Sequence, residues 1–234
     1  MSVLIEVNGL AKYFGRFSAL RELHITIPQG QYVALFGRNG AGKTTFLRIL
    51  AGLSRPSAGI VKIRSSKPGS ERAREVIGYL SHNTALYLDL TALENLRFYA
   101  RLLDLSCSNS DLEERIARVG LAGRAREPVR NYSRGMQQRL AIARAFLHDP
   151  DLLLLDEPFT GLDQEGTEFL KGYLSEARTQ GKTCLVAIHD PVIGHALADR
   201  LVVIEKGVVA LDLARQAISL DEFRDLYRSL TEEP

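Results

Sequence analysis

The sequence predicts an α/β protein with a mostly parallel sheet, and three observations carry that prediction. Short apolar runs at residues 32–36, 152–155 and 184–188 have the length and composition of strands covered on both faces. Patterns of helical period alternate with them; the clearest covers residues 43–53, with Phe46, Leu47, Leu50 and Leu53 on one face. A glycine-rich segment joins the first run to that helix, giving strand, glycine loop and helix in order. Ligands of such sheets sit at the carboxyl ends of the strands.

Residues 3–7 alternate apolar and polar and predict a first strand. The run at 32–36 follows, then the helix over 43–53, which Gly52 and Pro56 stop. Residues 65–74 are polar and include Pro68 and Gly69, the composition of a surface loop. Residues 77–80 predict another strand. Between about residues 86 and 148 the signals are mainly helical, at 92–105 and 111–119, which predicts a helical subdomain inserted into the core. After the runs at 152–155 and 184–188, residues 201–204 and 208–211 flank Glu205-Lys206-Gly207 as a hairpin with glycine in the turn. The chain thus divides into a core of about 1–85 and 149–213, a helical insert of about 86–148, and a helical tail of about 214–234.

Composition narrows the function. The 234 residues are 45% hydrophobic, enough to bury a sizeable core and to exclude disorder. Thirty Lys plus Arg against 28 Asp plus Glu leave a net charge of +2, far short of the basic excess that favours a nucleic acid partner. Cys107 and Cys184 have neither the density of a disulfide framework nor the spacing of a metal site, so both are expected to be reduced. No apolar run reaches the roughly 18 residues of a membrane span, and the start lacks a secretory pattern; a cytoplasmic location is expected.

Gly37-Arg38-Asn39-Gly40-Ala41-Gly42-Lys43-Thr44 fits G-x-x-x-x-G-K-[ST] between a predicted strand and a predicted helix, the context that the phosphate-binding loop requires. Glycines let backbone N–H groups turn toward phosphate oxygens, and the helix N-terminus adds its positive dipole end. Lys43 supplies a point charge for the β and γ phosphates, and Thr44 a hydroxyl for Mg²⁺. The competing reading, a glycine turn that binds nothing, leaves the lysine, the threonine and both flanking elements without a reason. Asp156 ends the run at 152–155 and emerges at the sheet edge as a Mg²⁺ partner, directly or through water. Glu157 follows and can orient and deprotonate an attacking water. Alone, two acids ending a strand would be ordinary; beside a phosphate loop they are candidates for hydrolysis.

Together these residues resemble the ATP-binding cassette (ABC) family from about residue 4 to residue 211. The resemblance implies a P-loop NTPase (RecA-like) core, an N-terminal antiparallel β subdomain and the inserted helical subdomain. It implies that Gly37, Arg38, Asn39, Gly40, Ala41, Gly42, Lys43, Thr44 and Thr45 hold ATP with Mg²⁺. Phe14 matches the family's adenine-stacking aromatic, and neighbouring Tyr13 could serve through its own ring. Gly161-Leu162-Asp163 looks like the D-loop, and His189 matches the switch histidine that contacts the γ-phosphate. Tyr132-Ser133-Arg134-Gly135-Met136 stands where the family has LSGGQ; Ser133 and Gly135 survive, while Arg134 and Met136 match an S-[KR]-G-M form found among exporter subunits. His82 stands where the family has the glutamine that reports nucleotide state to the membrane partner.

What the resemblance implies is an ATPase in which two cassettes, expected to be identical, sandwich two ATP molecules and drive an integral membrane permease from the cytoplasmic face. Residues 79–82, 90–99 and 133–139 look most like the ATP-binding subunit of haem exporters used in cytochrome c maturation. A drug- or polysaccharide-type exporter cassette shares much of that pattern, and a non-transport ABC ATPase is a further alternative. Tyr87, Asp89 and Arg97 are the expected exposed residues of the cleft that receives the permease.

Overall fold

A computed structural model describes residues 2–81 and 83–231 of the chain. It opens with two long strands, β1 (Val3–Phe14) and β2 (Phe17–Pro28), followed by β3 (Tyr32–Phe36) and α1 (Lys43–Leu50). Next come β4 (Ala58–Ile63), α2 (Glu71–Val76) and β5 (Ile77–Leu80), then the helices α3 (Ala92–Leu102), α4 (Asn109–Arg118) and α5 (Arg134–Ala145). The chain continues through β6 (Leu152–Asp156), α6 (Gln164–Thr179), β7 (Thr183–Ala187) and α7 (Pro191–Leu197). It closes with β8 (Arg200–Glu205), β9 (Val208–Ala214) and α8 (Leu220–Thr231).

Two sheets result. β2, β1 and β4 form an antiparallel sheet in that order, with Ile5 opposite Ile27 on one side and Ile63 on the other. The larger sheet has the order β5-β6-β7-β3-β8-β9; its first five strands are parallel and β9 is an antiparallel edge. Period-2 alternation divides its residues between two cores. Val33, Leu35, Leu152 and Leu154 face α1 and the antiparallel sheet in one cluster. Tyr32, Ala34, Phe36, Leu153 and Leu155 face the other way, among residues of α5, α6 and α8. A third cluster joins α3, α4 and α5 through Leu96, Ile116 and Leu140. Helix α5 serves two clusters, with Ala141 and Ile142 in the second and Leu140 and Ala143 in the third.

Several expectations are corrected. The helix over 43–53 ends at Leu50: the chain turns at Gly52 (φ 74°), so Leu53 leaves the apolar face and is 61% exposed. The helix over 92–105 ends at Leu102, because Asp104 adopts a left-handed φ of 53°. The polar stretch 65–74 is a loop only to Ser70, whose side chain accepts from Ala73 N–H and starts α2. The strand expected at 3–7 runs on to Phe14, because β2 and β4 pair along it.

Candidate nucleotide site

Because β3, β5, β6, β7 and β8 are parallel, their carboxyl ends share one edge of the sheet. That edge carries Gly37 after β3, Asp156 at the end of β6 and His189 shortly after β7. Backbone bonds hold the ends side by side: Ile188 N–H donates to Leu35 O at 3.0 Å, and Glu157 N–H to Ala187 O at 3.0 Å.

The loop between β3 and α1 requires glycine at both ends. Gly37 has φ 143° and Gly42 φ 113°; a Cβ would lie 2.2 Å from Ile204 O at the first and 2.6 Å from Ala19 O at the second. Gly42 is the N-cap of α1 and offers no side-chain cap, so the N–H groups of the first turn, which have no intrahelical partners, are left to a ligand. Lys43 is buried inside the loop and donates from Nζ to Gly37 O at 2.6 Å and Arg38 O at 3.2 Å. Burial pulls its pKa below the ordinary lysine range, while Glu157 and Asp156 act in the opposite direction.

Thr44 Oγ1 donates to Asp156 Oδ1 at 3.0 Å, which brings the two expected metal residues together. Glu157 adopts a left-handed φ of 53°, a conformation a non-glycine residue holds only where its surroundings impose it. Its Oε1 is 2.5 Å from His189 Nε2, so the two residues proposed for hydrolysis are already paired.

A cleft of about 190 Å³ runs along this loop, walled by Phe14, Phe17 and Ala19, by loop residues 38–45, and by Glu157. It is open to solvent rather than enclosed, and smaller than the roughly 300–1,000 Å³ of sites that enclose a ligand. The larger cavity, about 680 Å³ between α4 and α6, contains none of these residues; volume alone would mislead here. Phe14 lies on the cleft wall with Lys12 Nζ 4.8 Å from its ring, whereas Tyr13, about equally exposed, is not among the lining residues. Phe17, the cross-strand partner of Phe14, was not singled out by sequence; its signal is its place just across the Gly15-Arg16 turn from Phe14.

The signature segment is elsewhere. Ser133 is the N-cap of α5, its Oγ accepting from Met136 N–H at 3.3 Å, and no residue of 132–136 is among those lining the cleft. Within the chain, α5 leans on the segment after Glu157 instead: Gln138 Nε2 donates to Pro158 O at 3.3 Å, and the Arg134 side chain covers Gly161. Asp163 caps α6 by accepting from Gly166 N–H at 2.7 Å. His82 lies outside the described residues. Of the expected docking residues, Tyr87 is exposed and Asp89 pairs with Arg130 at 3.0 Å. Arg97 is half-buried rather than exposed, because it donates to Asn109 Oδ1 at 2.9 Å. Fully buried Asn95, which sequence reading missed, folds this region by bonding both backbone groups of Tyr87.

A parallel sheet, a glycine loop closed on a buried lysine, and a Thr–Asp pair beside a Glu–His pair define the class of P-loop nucleotide hydrolases. The sequence model of the ABC transporter family matches residues 20–160, more than half the chain, and the chain belongs to that family. It is 35% identical over 216 residues to the uncharacterised ABC transporter ATP-binding protein YdbJ of Bacillus subtilis, covering 91% of this chain and 70% of that protein. It is 32% identical to the bacitracin transport ATP-binding protein BcrA of Enterococcus faecalis, over 99% of this chain and 74% of the relative. The fold is similar to a solved ATP-binding subunit of an ABC transporter (TM-score 0.86, 29% identity, 98% of this chain and 100% of the other). It is similar also to a dimeric ATP-binding cassette solved after hydrolysis with ADP and Pi (TM-score 0.83, 26% identity, 91% and 99% coverage). The protein is an ATPase, the ATP-binding subunit of an ABC transporter. Among the described residues no helix is long and apolar enough to cross a membrane.

Proposed function

We propose that the chain is the motor of an exporter, acting as a pair of identical cassettes on the cytoplasmic face and driving a separate membrane subunit. The observation that carries this reading is the incompleteness of the cleft: it is open to solvent, and Ser133 and Gly135 do not line it. A second copy would supply them across the open side, as the dimeric state of the similar cassette supports. In this reading Lys43 and the loop N–H groups bind the phosphates and Phe14 stacks on adenine. Thr44 and Asp156 hold Mg²⁺, for which their hard oxygen donors 3.0 Å apart are suited. The ion would neutralise charge on the transferring phosphoryl group. Glu157 takes a proton from the attacking water, and His189 orients Glu157 and meets the γ-phosphate.

Export is supported by the name of a relative, a Nod factor export protein of Rhizobium johnstonii that is 36% identical over 88% of this chain. A sulfate/thiosulfate import protein of Pectobacterium atrosepticum is 34% identical over 88% of the chain, so direction rests on the S-[KR]-G-M form of the signature as well. Tyr87, Leu88 and Phe98 form an exposed patch that would receive the membrane subunit. The finer reading, haem export for cytochrome c maturation, rests on residues 79–82, 90–99 and 133–139 alone. In a strain lacking this gene, covalently haem-bearing c-type cytochromes should disappear while b-type haem remains. Normal c-type cytochromes, with no second cassette compensating, would leave the general exporter, whose membrane subunit should co-purify with the tagged chain from gently solubilised membranes.

A further inference from the structure

Glu157, proposed as the base, has a backbone that its own sequence disfavours. Its φ of 53° is left-handed, and Pro158 follows it, although the residue before a proline is pushed toward extended backbone. A conformation disfavoured twice persists only where neighbours hold it on both sides. Two of the holds belong to the sheet edge and the turn itself: Glu157 N–H donates to Ala187 O at 3.0 Å, and Thr160 N–H donates to Glu157 O at 3.1 Å. The third comes from α5, where Gln138 Nε2 donates to Pro158 O at 3.3 Å.

Gln138 is 7% exposed and Pro158 is buried, so this bond lies away from water. Burying an amide costs free energy unless it is bonded, and a methionine would fill the same place on α5 without that cost. What the amide adds is a donor for the Pro158 carbonyl, which accepts no other hydrogen bond among the described residues. Arg134 stands four residues earlier, on the same face of α5, and its side chain covers Gly161. That face of α5 thus meets residues 158–161, and its contact nearest to Glu157 is the bond from Gln138. A single helix therefore joins Ser133, at its N-cap, to the peptide beside Glu157.

We infer that Gln138 is a positioning residue for hydrolysis: its hold on the Pro158 carbonyl fixes the turn from which Glu157 presents its carboxylate to the attacking water. The inference rests on the reading of Glu157 as the base. It is tested with the full chain by measuring kcat and KM for MgATP, per folded chain, in Gln138→Met, Glu157→Gln and the double variant, using release of labelled phosphate for the slow ones. In Gln138→Met kcat should fall about tenfold, within the loss that a displaced catalytic group brings, while KM stays within about twofold because every group on the phosphates is kept. In the Glu157→Gln background the same substitution should change the residual turnover by less than about twofold, since no base is left to position. An unchanged kcat in Gln138→Met overturns the inference, as does a KM that rises at fixed kcat. An equal fall in both backgrounds overturns it too, being the mark of a role in folding alone. If Gln138→Met does not fold, Gln138→Ala, which leaves room for a water on the carbonyl, is read by the same comparison. Wild-type turnover in Glu157→Gln would overturn the reading of Glu157 and the inference with it, whereas slow turnover there beside normal turnover in Gln138→Met would overturn the inference alone.

Discussion

Two helix N-termini carry the residues expected to meet ATP, and they are built in opposite ways. At α1, Gly42 caps without a side chain, and a Cβ at Gly42 or Gly37 would collide with backbone carbonyls of the same chain. At α5, Ser133 caps with its own hydroxyl, and a Cβ at Gly135 would meet nothing within 4 Å. The glycines of the first site are therefore demanded by the chain's own fold. Among the described residues nothing within 4 Å demands the glycine of the second, and on the proposed reading that terminus faces a surface outside the chain. On the proposed reading, one half of the site is finished on folding and the other is a complementary surface for a second copy.

The largest effect should come from joining the halves. In Glu157→Gln the amide cannot take a proton, and turnover should fall by about 10²–10⁴-fold while ATP still binds. ATP should then drive a long-lived dimer, visible by size-exclusion chromatography with light scattering; a strictly monomeric chain would break the comparison. Lys43→Ala acts on the finished half alone. Its loss should weaken ATP binding by roughly 10–100-fold, the worth of a hydrogen bond to a charged group, and unchanged affinity would count against the loop. The smallest effect is the sharpest. Gly42→Ala, placed at φ 113°, should cost about 1–3 kcal/mol of stability without nucleotide. Gly135→Ala should cost nothing, or add up to about 1 kcal/mol through helix propensity, and still slow hydrolysis by the paired cassettes. Equal destabilisation in both denaturant titrations would show that the two termini obey one rule after all.

The first half was legible from the residues themselves, the second only through the family resemblance. β3, β6 and β7 are buried on both faces, so they read as unbroken apolar runs, and the chemistry follows at their ends. β2 and β4 escaped notice because they are partly exposed. Leu23, Ile25 and Ile27 of β2 do alternate with His24 and Thr26, a pattern that could have been found. α2 was too short to show a period. Phe17 owes its place to pairing with Phe14 across a tight turn, and Asn95 to a helix folding back on Tyr87; residue type alone does not announce either.

The position of β3 has a consequence in time. Its neighbours in the sheet are β7 and β8, with Tyr32 opposite Cys184 and Phe36 opposite Val203. At ribosomal rates of 5–20 residues per second, roughly 8–30 s separate the emergence of the phosphate loop from that of β8. For that interval an apolar strand with both edges unpaired waits on the nascent chain, a state in which wrong partners compete with right ones. The sheet neighbours that hold the edge carrying the loop come from the last third of the chain, so on the proposed reading of the loop nucleotide would act late in folding.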